Sequence, residues 1–447
     1  MNAYETLRSR LASGEAVVAV VGMGYVGLPL AASLHGGGLR VLGLDVDDKK
    51  IVALEKGENY LKHLGDAMTS ELAESDRFSA SSDFERARDA DAIVVCLPTP
   101  LGSHQEPDLS YIVRSGEQIG RTLRAGQLVS LESTTYPGTT RGEFLSAIRR
   151  GMAEVGTELE LGEDFFVAYS PEREDPGRKS HSTSTIPKLV GGLDDRAADL
   201  AVIMYARGVE TVQRVGSAEV AEAAKLLENI FRAVNIAMVN EMKVILTAMD
   251  IDVWEVIQAA STKPFGFMPF FPGPGLGGHC IPIDPFYLTW KAREVGETTR
   301  FIELAGEVNQ RMPAYVVDRV AWALNRHRKP LNGSRVLVLG LAYKPDVDDT
   351  RESPAFELIE LLREQGAAVD YSDPHVPATR PVRKHDLGME SIVLTPAAIG
   401  EYDAVLVATN HSEVDYAMIA EAAHLVVDTR NALAAFADAM GDRLVKA

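Results

Sequence analysis

The first part of the chain is punctuated by short apolar runs: Val17–Val21, Val41–Leu44, Ala92–Cys96, Gln127–Leu131 and Phe165–Tyr169. Runs of this length suit parallel strands buried on both faces. Stretches with helical spacing, such as Ile51–Lys56 and Arg141–Glu154, fall between them. Strands alternating with helices predict a doubly wound parallel sheet. The pattern then changes. Ser217–Met249 is almost free of Gly and Pro and repeats apolar residues at helical spacing, among them Leu226, Ile230, Val234 and Met238. A loop rich in Pro and Gly follows, Pro264–Pro285, and then more helix to about Arg326. The stretch His327–Ser334 reads as a linker, after which Arg335–Leu341, Val369–Ser372, Ala404–Ala408 and Leu425–Asp428 open a second strand–helix alternation. The expected fold is therefore α/β: two Rossmann-like doubly wound domains, residues 1–212 and 328–447, joined by a central helical region, residues 213–327, that contains a long helix. No repeat of solenoid period and no low-complexity tract interrupts this layout.

One segment imitates a membrane span. Ala16–Leu34 carries no charge and is long enough to cross a bilayer. Gly22, Gly24, Gly27 and Pro29 interrupt it, and its first half is rich in valine, so strand, tight turn and helix start describe it better.

Composition narrows the function. At 447 residues, with 46% hydrophobic and 24% charged residues, the chain has the make-up of a globular protein of two or three domains. A net charge of -19 argues against a nucleic-acid surface, which needs a basic face. It leaves room for a diphosphate held by backbone N–H groups. Two cysteines without metal-ligand spacing exclude a disulfide framework and a zinc cluster, and fit a reducing, cytoplasmic setting. Met1–Ser13 is polar and charged, unlike a signal peptide.

Two loops carry candidate chemistry. Gly22-Met23-Gly24-Tyr25-Val26-Gly27 is a G-x-G-x-x-G element between a strand and a helix. Its first glycine serves a tight turn, its second the approach of a pyrophosphate, and its third close helix–strand packing. Asp45 ends the next strand, where a carboxylate accepts hydrogen bonds from the adenosine ribose and repels a 2′-phosphate. That favours NAD over NADP, although Lys49 and Lys50 lie close enough in sequence to offset the charge. The second loop, Gly273-Pro274-Gly275-Leu276-Gly277-Gly278-His279-Cys280-Ile281-Pro282-Ile283-Asp284, is dense in glycine and closes on a cysteine, with a carboxylate four residues later. Main chain of this kind wraps closely around a ligand, and Cys280 reads as a nucleophile. The bland alternative for a cysteine is a small buried hydrophobe, which suits Cys96. His279 takes no role, since neighbouring side chains point apart.

With these loops the chain resembles the UDP-glucose/GDP-mannose dehydrogenase family, from about Val18 to Ala432. Motifs match in order: the glycine loop; Pro98-Thr99-Pro100; Glu132-Ser133-Thr134-Thr135; Ser170-Pro171-Glu172-Arg173; Lys225 to Asn229; Gly277-Gly278-His279-Cys280; and Tyr343-Lys344 with Thr350-Arg351-Glu352-Ser353. The stretch Pro272–Tyr287 looks most like the branch acting on UDP-N-acetylglucosamine, whose members make uronic acids for bacterial surface polysaccharides.

The resemblance implies oxidation of carbon 6 of a UDP-sugar from alcohol to acid, with two NAD molecules reduced and no aldehyde released. Cys280 matches the nucleophile that carries the aldehyde as a thiohemiacetal and then a thioester. Asp284 and Lys225 match the groups that handle the alcohol proton, and Asn229 sits one helical turn after Lys225. Glu172 matches a carboxylate that assists hydrolysis, and Thr134 a residue that positions water. The cofactor set is Gly22, Gly24, Tyr25, Val26, Gly27, Asp45, Lys50, Pro98, Thr99, Thr134 and Arg351. The substrate set is Glu172, Arg173, Lys225, Asn229, Gly275, Gly277, Tyr343 and Lys344. Read without the resemblance, Lys225 and Asn229 equally suit a solvated helix face, Glu172 a helix-start carboxylate, and Lys344 and Arg351 ordinary surface charge. The resemblance also implies a homodimer built on the long helix, with no metal, no nucleic acid and no membrane partner.

Two departures from the family bear on the sugar. Many members have a second carboxylate four residues after the one matched by Glu172, where this chain has Pro176. Many also have an arginine ahead of the cysteine loop, whereas between Trp254 and His279 the only basic residue is Lys263. Both changes put plain UDP-glucose in doubt and point to a 2-acetamido sugar.

Overall fold

The computed structural model describes residues 2–61, 64–102, 106–173, 183–278, 281–382 and 385–447. Two compact units result, Met1–Glu228 with Phe286–Glu297, and Asn229–Pro285 with Thr298–Ala447.

The first unit is built on an eight-stranded sheet of order β3-β2-β1-β4-β5-β6-β7-β8. Its strands are β1 Val17–Val21, β2 Arg40–Leu44, β3 Phe78–Ser81, β4 Ala92–Val95, β5 Gln127–Leu131, β6 Phe165–Tyr169, β7 Lys188–Gly192 and β8 Val212–Arg214. Helices α1 Ala3–Ser13, α2 Gly27–Gly36, α3 Asp48–Glu55, α4 Asp66–Ala73, α5 Ser110–Thr122, α6 Leu145–Glu154 and α7 Asp195–Tyr205 complete it. Alternate residues of the central strands feed two cores. Val18, Val20, Val94, Leu128 and Phe166 pack with Leu28, Leu34 and Leu200 on one face. Ala19, Val21, Val95, Val129 and Val167 pack with Ile112, Ile119 and Ile148 on the other. Burial on both faces is why these strands read as unbroken apolar runs.

The sequence led us to expect a parallel sheet, and one pair departs from it: β6 and β7 are antiparallel. The edge strands β3 and β8, the strand β7 next to β8, and the first helix α1 escaped the sequence reading. β3 is only partly buried, β7 contains Lys188 and two glycines, and β8 is three residues long, so none shows an apolar run.

A 31-residue helix, α8 Ala218–Ala248, realises the long helix expected over Ser217–Met249. Ala218–Glu228 belongs to the first unit and Asn229–Ala248 to the second. The expected apolar stripe divides in two: Leu226 is fully buried, whereas Met238 is half exposed. Leu227, Phe231, Met242, Ile245 and Met249 are exposed as well.

In the second unit α8 is followed by α9 Val253–Ser261, α10 Asp284–Glu294, which begins there, and α11 Arg300–Arg326. A parallel five-stranded sheet of order β10-β9-β11-β12-β13 follows, with β9 Arg335–Leu339, β10 Ala368–Ser372, β11 Ala404–Val407, β12 Val426–Asp428 and β13 Leu444–Lys446. Helix α12 Pro354–Glu364 starts at an N-cap, Ser353, whose hydroxyl accepts from the Ala355 amide. Val336 and Val338 pack against Phe356 and Val320 on one face, and Leu337 and Leu339 against Ile399 and Ile419 on the other. Among the described residues no helix is long and apolar enough to cross a membrane.

Candidate active site

In the first unit the glycine loop joins β1 to α2 at the carboxyl edge of the sheet. Gly22 has φ +91°, and a Cβ there would lie 2.4 Å from the Cys96 carbonyl oxygen. A Cβ at Gly27 would lie 1.9 Å from the Gly22 oxygen, so helix and loop approach as only glycine permits. A Cβ at Gly24 would meet nothing within 4 Å. Among the described residues the second glycine therefore answers to no neighbour, which fits a position kept small for a pyrophosphate. Val26, the N-cap of α2, offers no side-chain acceptor; the Leu28 and Leu30 amides donate to the Gly24 and Val26 carbonyls, and Pro29 has no N–H. The loop is braced from below, where the Tyr60 hydroxyl donates to the Met23 oxygen at 2.7 Å.

Asp45 is drawn into this brace. Its Oδ2 accepts from the Met23 amide at 2.9 Å and pairs with Lys50 Nζ at 2.8 Å, and its Oδ1 accepts from the Asp47 amide. Two of the three charged residues assigned to the cofactor, Asp45 and Lys50, thus form one linked pair. Beyond β4, Pro98 is exposed, while Thr99 is buried and its carbonyl accepts from the Tyr287 hydroxyl. Ser133 Oγ accepts from the Leu97 amide and ties the loops after β4 and β5 together beside the half-buried Thr134.

The loop after β6 is fastened to α8. Lys225 Nζ donates to the Glu172 carbonyl at 2.5 Å and lies 3.1 Å from Glu172 Oε2. Both side chains are largely buried, so the charges reinforce one another in a poorly screened setting. Arg173 reaches Glu228 Oε1 at 2.5 Å and the Pro187 carbonyl at 2.7 Å. The structure therefore brings Lys225 and Glu172 together, and Lys225 is no solvated surface charge.

One turn before Lys225, Glu222 is fully buried. It accepts from the Gly138 and Thr140 amides and the Thr140 hydroxyl, holding the loop after Thr134 onto α8. Burial pushes its carboxyl up to about 7 in spite of these donors. A second buried carboxylate, Glu132, follows β5 directly and pairs with Lys188 at 2.9 Å.

In the second unit Asn229 Nδ2 donates to Asp284 Oδ2 at 2.6 Å, with both residues buried. The glycine-rich loop ahead of the cysteine was expected to wrap a ligand, but several of its glycines are required by protein neighbours. A Cβ at Gly277 would lie 2.7 Å from the Tyr343 Cβ, and one at Gly278 would lie 2.9 Å from the Tyr343 ring. One at Gly275 would lie 3.1 Å from Pro354. The Gly278 amide donates to the Arg351 carbonyl, while the Arg351 guanidinium forms a bidentate pair with Asp349. Lys344 Nζ lies over the Tyr343 ring. The loop assigned to the nucleophile and the segment assigned to the substrate are thus one packed assembly. Cys280, its neighbour His279, and Pro176 in the first unit lie outside the described residues.

Four groups, three in this assembly and one in the first unit, escaped the sequence reading. The Asn240 side chain accepts from the Gly273 amide and donates to Asn309, which in turn donates to the Ala233 carbonyl, so a buried amide chain anchors the start of the loop. Arg430 lies against Gly273, with its Nε on the Ala408 carbonyl. Burial pushes its guanidinium down to about 10. Glu222 completes the four. Each is a single polar residue in an apolar or charged context, without a motif to mark it.

Family models match along most of the chain. The NAD binding domain of the UDP-glucose/GDP-mannose dehydrogenase family matches residues 16–209, its central domain 219–311, and its UDP binding domain 337–435. The chain belongs to that family, and it is an NAD-dependent UDP-sugar dehydrogenase. It is 38% identical over 397 residues to the UDP-N-acetyl-D-glucosamine 6-dehydrogenase of Pseudomonas aeruginosa, covering 89% of this chain and 90% of that protein. Among solved structures it is similar to the UDP-N-acetyl-mannosamine dehydrogenase of Pyrococcus horikoshii, with TM-score 0.82, 32% identity, and coverage of 93% and 96%. It is also similar to the NDP-N-acetyl-D-galactosaminuronic acid dehydrogenase of Methanosarcina mazei Go1, with TM-score 0.80, 30% identity, and coverage of 99% and 97%.

Proposed function

We propose that the protein oxidises carbon 6 of UDP-N-acetylglucosamine to the uronate in two NAD-dependent steps, through covalent intermediates on Cys280. The observation that carries this reading is that α8 presents Lys225 to Glu172 in one unit and Asn229 to Asp284 in the other. These are two buried polar pairs one helical turn apart on a single element. Bound NAD accepts the hydride in each oxidation.

The residues divide the remaining work. Asp284, oriented by Asn229, and Lys225 take the proton of the primary alcohol through a water as its hydride leaves. The Cys280 thiolate adds to the aldehyde carbon, and the resulting oxyanion takes up a proton to give a thiohemiacetal. Loss of a second hydride from that carbon and of the hydroxyl proton leaves a thioester. Glu172, positioned by Lys225, accepts a proton from the water that attacks the thioester carbonyl, while Thr134 orients that water. The acid is released and the thiol restored. Lys225 also stabilises the oxyanion of each addition. Tyr343, Lys344 and Arg173 contact the nucleotide sugar, with Arg430 as a further cation for its phosphates, and Arg351 reaches the cofactor. The product is a precursor for surface polysaccharide made in the cytoplasm by a homodimer.

UDP-N-acetylmannosamine is the second reading, favoured by the likeness to the Pyrococcus horikoshii enzyme; UDP-glucose is the third. Specificity constants with the three sugars separate them. A value for UDP-N-acetylglucosamine at least ~10-fold above the others is expected, and a higher value for either of the others assigns the enzyme to that sugar.

A further inference from the structure

Glu132 is 1% exposed, and its two carboxylate oxygens are treated differently. Oε2 receives Lys188 Nζ at 2.9 Å. The same ammonium lies 4.9 Å from the centre of the Tyr205 ring, whose hydroxyl is bonded to Ser130 Oγ. Oε1 has no hydrogen-bond partner among the described residues. A buried carboxylate oxygen without a donor is costly, and a native fold keeps one where something supplies the donor.

The surroundings indicate what supplies it. Glu132 lines a pocket together with Val26, Pro171, Glu172, Arg173 and Lys188. Val26 ends the glycine loop, so the pocket opens beside the place where the cofactor pyrophosphate is held. The strand order fixes the direction in which the cofactor runs. Asp45 and β2 lie on one side of β1, and β4, β5 and β6 on the other. A dinucleotide crossing the carboxyl edge with its adenosine over β2 carries its nicotinamide towards β4 and β5. Glu132 is the first residue after β5. The nicotinamide ring has one hydrogen-bond donor, the NH2 of its carboxamide.

We infer that Glu132 Oε1 accepts a hydrogen bond from the carboxamide NH2 of NAD, with Lys188 holding the other oxygen, and that Glu132 thereby sets which way the ring is turned. The inference rests on NAD occupying the first unit, and it makes Glu132 a cofactor-positioning residue. Glu172, in the same pocket, is already engaged by Lys225.

Equilibrium binding by calorimetry tests it with three ligands: NAD, its 3-acetylpyridine analogue, in which a methyl group replaces the NH2, and ADP-ribose, which lacks the ring. The wild-type enzyme is expected to bind NAD at least ~10-fold more tightly than the analogue, as the loss of a hydrogen bond to a charged acceptor implies. In Glu132→Gln the amide oxygen turns to Lys188 and its NH2 faces the ligand, donor against donor. The preference then falls to within about two-fold while ADP-ribose binds as before. A wild-type enzyme that binds NAD and the analogue alike overturns the inference whether or not the variant folds. So does a variant that keeps the preference, because an acceptor other than Glu132 is then responsible. Failure of the wild-type enzyme to bind ADP-ribose would contradict the NAD site itself, a different failure.

Discussion

Lys225 Nζ donates to the main-chain oxygen of Glu172 at 2.5 Å and stands 3.1 Å from its Oε2, so a single buried ammonium holds both the backbone and the carboxylate of one residue. In Glu172→Gln the backbone contact survives and the loop keeps its place, but the side chain no longer accepts a proton. Acylation of Cys280 remains possible while hydrolysis slows, on the order of 10²- to 10⁴-fold as for loss of a general base. Intact-protein mass spectrometry after mixing with NAD and UDP-sugar is expected to show the enzyme carrying the acylated nucleotide-sugar mass. A slowed variant with no adduct would remove Glu172 from the hydrolytic step.

Asp45 and Lys50 form one buried-to-surface pair at 2.8 Å, with Asp45 also holding the Met23 amide. NAD is expected to be preferred over NADP by the wild-type enzyme. Asp45→Ser releases Lys50 towards a 2′-phosphate, so kcat/KM with NAD should fall about 10-fold and that with NADP should rise. Equal specificity constants for the two cofactors in the wild type would take Asp45 out of this role.

Glu222 gives the fold a pH dependence whose sign follows from its raised carboxyl, about 7 when folded against about 4.5 for a free glutamate. A group with a raised folded pKa contributes stability that is complete below about 4.5 and is lost as pH rises through about 7. The loss is on the order of 3 kcal/mol by linkage. Denaturant melts at pH 5 and pH 8 should therefore fall further apart for the wild type than for Glu222→Gln. Parallel shifts in the two proteins would show that Glu222 is ionised throughout.

On α8 the side chains of Phe231, Met238, Met242, Ile245 and Met249 are exposed, and the proposed homodimer would cover them. Replacing Met238 and Met242 together by Glu should convert a dimer into a monomer with folded circular dichroism. Light scattering that finds the wild type monomeric at micromolar concentration would contradict the homodimer.

Legibility varied with the physics of each element. Central strands such as Val17–Val21 and Phe165–Tyr169 are buried on both faces, and their sequence bounds match the structure to the residue. Edge strands such as Phe78–Ser81 face solvent and carry no such signal. The cofactor glycine loop was readable from its spacing, and Gly22 and Gly27 do meet close neighbours, whereas in the second loop Gly277 and Gly278 turn out to answer to Tyr343. Lys225 and Asn229 were visible as a spacing, but spacing does not reveal burial, and only the fold shows them paired with Glu172 and Asp284. Glu222, Asn240 and Arg430 were illegible, since each acts through a neighbour distant in sequence. Cys280 lies outside the described residues, and its role stands on the glycine loop and the family motif.

The covalent step is the centre of the account, and Cys280→Ala tests it most directly. The first hydride transfer needs no thiol, so a limited quantity of NADH is expected, while complete turnover stops and nucleotide binding persists. The decisive measurement is the rate of uronate release by Cys280→Ala, followed by chromatography of the nucleotide sugars. A rate at least ~10³-fold below wild type is the expected result, in line with removal of a catalytic nucleophile. Release at near the wild-type rate would contradict the thioester mechanism and the reading of the glycine-rich loop that led to it.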